Sequence, residues 1–342
     1  MPLRLKSNWI SLEEYLKTLS REKLIGLTGY HKSEWLLATS SAFGCDIRCV
    51  ESTLNGKTLA ITPFMFKKKG PMNLIGSALR GTYTEFAGPL FVSDLDDSIM
   101  SKVIESQHQL ISKDSHYIEW RVQSLANKEH LFGEALKKLG YQFDSVPSLL
   151  IDLSQSEDDL LASFVGRART AVRKAEKAGL SATVVEPSEE WIKEYYQILT
   201  DTFARQGLAV PHPIIFFQTI AKLSKSGFVR CVEVRIENSI GAAAIFIKDD
   251  SRMMYLSGVA TKDGMRLAAS SLVQWHAMKQ GVRDEIIDYD MGGLGIGSID
   301  KFKRSFGGTD VSHLKWVWRS KAFKLIEPIA IWLSKKGKIS LR

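Results

Sequence analysis

The residues best suited to chemistry lie between Ile286 and Gly308, IIDYDMGGLGIGSIDKFKRSFGG. The apolar start and the Asp-Tyr-Asp that follows read as the end of a buried strand, and Gly292, Gly293, Gly295 and Gly297 interrupt it at once. The spacing predicts a short helix next, with Asp300 at its N-terminus and Phe302 and Phe306 four apart on its buried face. One carboxylate (Asp290), the free amides around Gly292 and Gly293, and the cations Lys303 and Arg304 then gather at a strand end, where open α/β sheets bind ligands. Tyr289 and Phe302 flank this set. The same residues would also serve as a plain structural turn. They are not a dinucleotide fingerprint, because Asp300 stands where the third glycine should be.

A second stretch, GRARTAVRKAEKAGL from Gly166 to Leu180, sharpens the reading. On a helical projection Ala168, Ala171, Val172, Ala175 and Ala178 share one face, while Arg169, Arg173 and Lys177 line another at four-residue spacing. Arg167 and Lys174 extend the basic side, and Glu176 is the one acid within it. A charge run is commonly a solvated face. Here the small face allows close packing, which would aim the cations, and arginine's planar fork suits phosphate and carboxylate oxygens. In the first half, the loop GSALRGTYTEFAGP offers Arg80, Tyr83 and Glu85 as pocket-lining candidates.

These stretches need a scaffold. The chain has 342 residues, enough for two domains, and a net charge of +8 that favours anionic partners. Its three cysteines form no CxxC or Cys/His pattern, and its seven histidines form no HExxH, so no metal is expected. The N-terminus lacks a signal-peptide core and no apolar run reaches ~20 residues, so a cytoplasmic protein is expected, with contact at the inner face of the membrane left open. Helices are expected at Asn8–Leu19 and His31–Phe43. They are followed by a hairpin through Asn55-Gly56, helix Asp96–Lys113, strand Tyr117–Val122, helix Lys128–Leu139 and a junction strand Ser145–Leu153. After the basic helix the order recurs, and IRCVE at Ile47–Glu51 echoes VRCVE at Val229–Glu233. The expected organisation is α/β (α+β), a mixed and mostly antiparallel sheet flanked by helices in each of two related domains. They are placed at 1–150 and 151–320, followed by a basic amphipathic tail at 321–342.

RARTAVRKAEKAGL, YDMGG and FKRSFGG, in that order, resemble the FemAB-type peptidyltransferases and the related FemAB-like, or BioF2-like, acyltransferases of GNAT fold. The resemblance covers mainly Leu150–Val317, with the first half as a looser second GNAT-like domain. It implies two tandem GNAT-like domains and an acyltransferase. The group moved would be aminoacyl or acyl and the acceptor an amine, in peptidoglycan-precursor or surface-polymer biosynthesis. It also implies that Lys303, beside Phe302, lies near the reacting carbonyl, and that Arg169 and Arg173 meet phosphates of donor or acceptor. Lys303 and the glycine-loop amides are then the groups to hold a tetrahedral oxyanion, with Asp290 as base or as orienting acid. Arg169, Arg173, Lys174, Tyr289, Gly292, Gly293, Phe302, Arg80 and Tyr83 are the expected substrate-binding set.

No tightly bound cofactor is expected. The donor is aminoacyl-tRNA or acyl-CoA, both open because KDGMRLA carries one glycine, Gly264, in place of the Arg/Gln-x-x-Gly-x-Gly/Ala of acyl-CoA loops. The acceptor is expected to bear phosphate, as a lipid-linked or nucleotide-linked precursor. Two alternatives stand beside this one: an acyl-CoA-dependent GNAT N-acetyltransferase acting on a sugar nucleotide or small amine, and a non-catalytic RNA-binding module.

Overall fold

A computed structural model describes residues 5–122, 129–205, 207–295 and 297–335. The chain opens with β1 (Leu5–Ile10), α1 (Leu12–Arg21), α2 (Ser33–Phe43), β2 (Asp46–Leu54), β3 (Lys57–Lys69), β4 (Met72–Ser77) and β5 (Leu90–Phe91). It continues through α3 (Asp97–Ile111), β6 (Tyr117–Val122), α4 (Glu129–Lys138), β7 (Gln142–Asp152), α5 (Glu157–Ser163) and α6 (Gly166–Lys177). Then come β8 (Ala182–Val185), α7 (Glu189–Ala204), α8 (Ile214–Ala221), β9 (Val229–Ile236), β10 (Ser239–Lys248) and β11 (Arg252–Ala260). The last elements are α9 (Lys262–Arg266), α10 (Ala269–Arg283), β12 (Asp288–Asp290), α11 (Gly297–Arg304), β13 (Thr309–Arg319) and α12 (Lys321–Lys335).

The elements form two compact units: Met1–Val146 with His313–Arg342, and Pro147–Ser312. Within the first, strands run in the order β1-β2-β3-β4-β6-β13, antiparallel except for the parallel pair β4–β6 that α3 connects. Within the second the order is β8-β9-β10-β11-β12-β7, again antiparallel except for the parallel pair β11–β12 that α9 and α10 connect. This is one topology written twice, and the IRCVE and VRCVE stretches fall on the matching strands β2 and β9.

The closing strands are exchanged along the chain. β7 follows the first unit in sequence yet pairs with β12, and β13 follows the second unit yet pairs with β6. The division expected at 150 and 320 therefore differs from the observed one: Leu314–Arg319 pair with Tyr117–Val122 and lie in the first unit, as does α12. Residues 336–342 of the expected tail, and Lys128 of an expected helix, lie outside the described residues.

Local differences have local causes. Residues Asn8–Ile10, expected to open a helix, belong to the strand Leu5–Ile10 paired with β2, and the helix starts only after Ser11. There the Ser11 hydroxyl accepts from Glu14 N–H at 3.1 Å and the Glu14 carboxylate accepts from Ser11 N–H at 2.8 Å, a capping box that fixes the start. Asp300 is not the N-cap of its helix but sits in the first turn of α11, its two oxygens each 3.0 Å from Gly295 N–H.

Each unit has its own core. In the first, Trp120 meets Phe64 and Phe132 edge to face, with centroids 5.1 and 5.8 Å apart. In the second, Phe164 stands edge-on to Trp275 (5.6 Å) and Phe306 (5.2 Å), so one ring ties the end of α5 to α10 and to the residues just after α11. That contact fixes the helix carrying Lys303. Phe164→Ala is expected to cost about 3–5 kcal/mol in urea unfolding; an unchanged midpoint would show that the ring does not anchor this helix.

Candidate active site

The parallel pair β11–β12 is short. Arg252, Met253 and Met254 pair with Asp288, Tyr289 and Asp290, and there the pairing ends. Met291 N–H then donates to Leu149 O at 2.9 Å and Leu294 N–H to Pro147 O at 2.8 Å, so the chain leaves β11 and follows β7. β11 itself continues to Ala260 against β10, with an extra residue, Leu256, between Tyr255 (opposite Phe246) and Ser257 (opposite Ile245). From Tyr255 onward, among the described residues, no strand pairs with the other edge of β11. That edge is the opening into which a substrate carbonyl can be laid.

The glycine turn stands at the start of this opening. Gly292 adopts φ +72°, and a Cβ there would lie 3.1 Å from Tyr255 O, so the position suits glycine on both counts. Asp290, fully buried, accepts from the Ser148 hydroxyl at 2.5 Å and from Gly292 N–H at 2.8 Å through the same Oδ1. Lys303 reaches back from α11 and donates to Gly292 O at 3.1 Å and Gly293 O at 2.7 Å, with only 6% of its surface exposed. Its Nζ is 5.8 Å from the centroid of the Tyr255 ring, within reach of a cation–π attraction. Asp290, Gly292, Gly293 and Lys303 are thus brought together, and Phe302, half-buried, packs edge-on against Phe306 at 5.1 Å.

Other expected residues take different places. Tyr289 is buried in the core with its hydroxyl on the Gln274 side-chain carbonyl, and burial holds its phenol well above the ordinary range. On α6, Ala168, Val172 and Ala175 are buried as expected. Arg169 donates to the carbonyls of Ala162 (2.8 Å) and Phe164, Lys174 to Arg266 O at 2.7 Å, and Arg167 to Lys301 O. Arg173 and Lys177 are exposed and make no hydrogen bond or ion pair among the described residues.

Arg80 (exposed) and Tyr83 (φ +55°, half-buried) belong to the first unit, where the matching opening is filled. Ala87 N–H lies 3.1 Å from Ser77 O and 3.3 Å from Arg121 O, bridging the ends of the parallel strands β4 and β6. Trp35 Nε1 donates to Thr84 Oγ1 at 2.9 Å and His31 Nε2 sits 3.0 Å from Gly88 O, which fastens the loop there. A cavity of about 250 Å³ in the second unit is lined by Leu150, Asp152, Ser163, Asp288 and Thr309 among others and includes none of the glycine turn.

Three residues escape the sequence reading. Tyr255 places its hydroxyl 2.2 Å from where a Cβ on Gly258 would stand, so the phenol covers Gly258 on the same strand, and its ring packs 5.8 Å from Phe246. Ser257 on that strand is 2.7 Å from the Tyr195 hydroxyl, and Ser148 holds Asp290. Tyr255 and Ser257 sit on one strand run, MMYLSG, but the bulge between them leaves no mark in periodicity. All three cysteines are buried, and burial pushes the thiols up, to about 11 for Cys45 and about 12 for Cys49 and Cys231, so none is a ready nucleophile.

Residues 162–304 match the model of an acetyltransferase (GNAT) domain, a span that includes α6, the open edge of β11, the glycine turn and Lys303. Among solved structures the chain is similar to FemX, with 16% identity, a TM-score of 0.72, and 95% of this chain and 99% of that one covered. It is also similar to a tandem GNAT protein from the clavulanic acid biosynthesis pathway (10% identity, TM-score 0.55, 92% and 98% covered). A third similar structure is the C-terminal domain of a lysylphosphatidylglycerol synthetase from Agrobacterium fabrum (13% identity, TM-score 0.54, 80% and 86% covered). No curated protein matches the chain by sequence. Residues 162–304 thus carry a GNAT acetyltransferase domain over the open strand edge, and the chain has the fold of FemX along nearly its whole length.

Proposed function

We propose that the protein transfers an aminoacyl or acyl group to the amine of a phosphate-bearing precursor of the cell wall or a surface polymer, by direct attack in a ternary complex. The observation that carries this reading is the buried Lys303 ammonium, fixed at the glycine turn where the edge of β11 becomes unpaired. An amine attacking a carbonyl laid on that edge creates a tetrahedral oxyanion. A dehydrated positive charge acts on it far more strongly than one in water, and backbone amides of the edge supply the hydrogen bonds. Collapse breaks the bond to the leaving oxygen or sulfur, which departs with the proton that the attacking amine loses as the amide forms. Asp290 serves as the orienting acid: its carboxylate holds the turn through Gly292 N–H while Lys303 holds it through the two carbonyls.

The donor favoured here is aminoacyl-tRNA, with its phosphates on Arg173 and Lys177. Arg169 and Lys174, expected to bind substrate, are the bolts that set that helix in place. The acyl-CoA reading draws on the matched GNAT domain. Against it stands the loop before α10, where a pyrophosphate would sit. Thr261 Oγ1 already accepts from Gly264 N–H at 3.1 Å, Asp263 occupies the start of α9 as an ion pair with Arg266, and a Cβ on Gly264 would fall 1.9 Å from Gly241 O. The Gly264 amide is thus already committed within the turn.

A donor-consumption assay with aminoacyl-tRNA and acetyl-CoA, each with a panel of amines, is expected to show aminoacyl-tRNA consumed; acetyl-CoA alone consumed would establish the other donor. Lys303→Met is expected to lower turnover ~10²-fold or more with a much smaller change in KM. Wild-type turnover with the fold intact would remove Lys303 from the chemistry. Arg173→Ala combined with Lys177→Ala is expected to weaken tRNA binding and lower the slope of log affinity against log salt by about 1–2. An unchanged slope returns both side chains to ordinary surface.

A further inference from the structure

The last helix presents its apolar side outward. α12 is held to the first unit along one side: the Phe323 ring packs at 5.2 Å on Tyr117, Arg319 Nε donates to Glu327 at 2.9 Å, and Phe323 N–H donates to Ser320 Oγ at 3.1 Å. At 100° per residue, Leu325, Ile326, Ile329 and Trp332 fall together on a different side. Their exposures are 75, 39, 58 and 52%, in a chain that buries most of its large apolar residues. A single exposed leucine is ordinary; four large apolar side chains in one stripe form a surface waiting for a cover.

Charge decides what covers it. From Lys321 to Arg342 the sequence carries six cations, Lys321, Lys324, Lys335, Lys336, Lys338 and Arg342, against the one acid Glu327, which is already paired with Arg319. Lys321 and Lys324 are exposed beside the stripe. A second copy of this chain would set six cations against six, which opposes pairing through this face. An anionic lipid surface meets both demands, taking the apolar stripe below the headgroups and the lysines among the phosphates, with Trp332 suited to the boundary. A helix of 15 residues is about 22 Å long, short of the ~30 Å hydrocarbon core, and no described helix is long and apolar enough to cross a membrane.

We propose that α12 is an interfacial helix that seats the protein on anionic bilayers. The inference does not depend on the transfer chemistry, and it sets the enzyme where a lipid-linked acceptor would be found. The test is sedimentation of the full chain with phosphatidylcholine vesicles, with and without about one-third phosphatidylglycerol. Binding is expected only with the anionic lipid, reduced by high salt. Leu325→Gln combined with Ile329→Gln is expected to lower it ~10-fold or more with the melting temperature and turnover on a soluble acceptor unchanged. Lys321→Gln with Lys324→Gln is expected to weaken it at low salt only. Equal sedimentation of wild type and the Leu325/Ile329 variant, or none with anionic vesicles, would overturn the proposal. So would a dimer of the wild-type chain that the same variant dissociates.

Discussion

The site depends on one charge being kept out of water. An ammonium as buried as that of Lys303 is tolerated only where oxygen acceptors replace its hydration, and the acceptors here are the carbonyls of two consecutive residues, Gly292 and Gly293. For both carbonyls to converge on one Nζ, the chain must turn at Gly292 through a left-handed conformation, which also clears Tyr255 O. Asp290 closes the arrangement by taking Gly292 N–H, so the peptide groups of the turn are committed on both sides. Turn and helix thus define one another: without the cation both carbonyls lose this donor, and without the glycine turn the cation loses both acceptors.

The doubled topology shows what separates a site from a scaffold. Both units place a parallel strand pair at the middle of the sheet, and in both the strands part at their C-terminal ends. In the first unit, Ala87 N–H fills the gap by donating toward both strand ends, and Trp35 and His31 fasten that loop from behind. In the second unit the departing strand is turned away at Gly292, and β11 carries a bulge at Leu256 beyond the point where that pairing ends. The same architecture therefore gives a bridged strand end in one unit and, among the described residues, an unpaired stretch of strand edge in the other.

What the sequence revealed follows the range of the forces involved. The Asn55-Gly56 hairpin, the basic helix with its small buried face, and strand β6 are set by residues within a few positions of each other, and all were legible. The start of α1 was misread because Trp9 and Ile10 mimic helical spacing, whereas pairing with β2 claims them. The exchanged strands β7 and β13 were not legible, since an alternating run states that it will pair and not with which strand. A helical projection likewise placed Arg169 and Lys174 on a basic side but could not show that the carbonyls of Phe164 and Arg266 come within their reach.

Those two side chains bear on how the remaining cations work. A lysine or arginine on a loosely held helix loses about 2 kcal/mol of side-chain freedom when it grips a ligand, and any motion of the helix adds to that cost. On α6 the helix is fixed beforehand, bonded by Arg169 to the end of α5, by Lys174 to the end of α9 and by Arg167 to α11. Three cations commit charge-assisted bonds to the protein, which ties α6 at three points and leaves Arg173 and Lys177 exposed on it. The same bonds join α6 to the helix of Lys303. The exposed cations and the buried one are thus carried on helices bonded directly to each other through Arg167 and the Lys301 carbonyl.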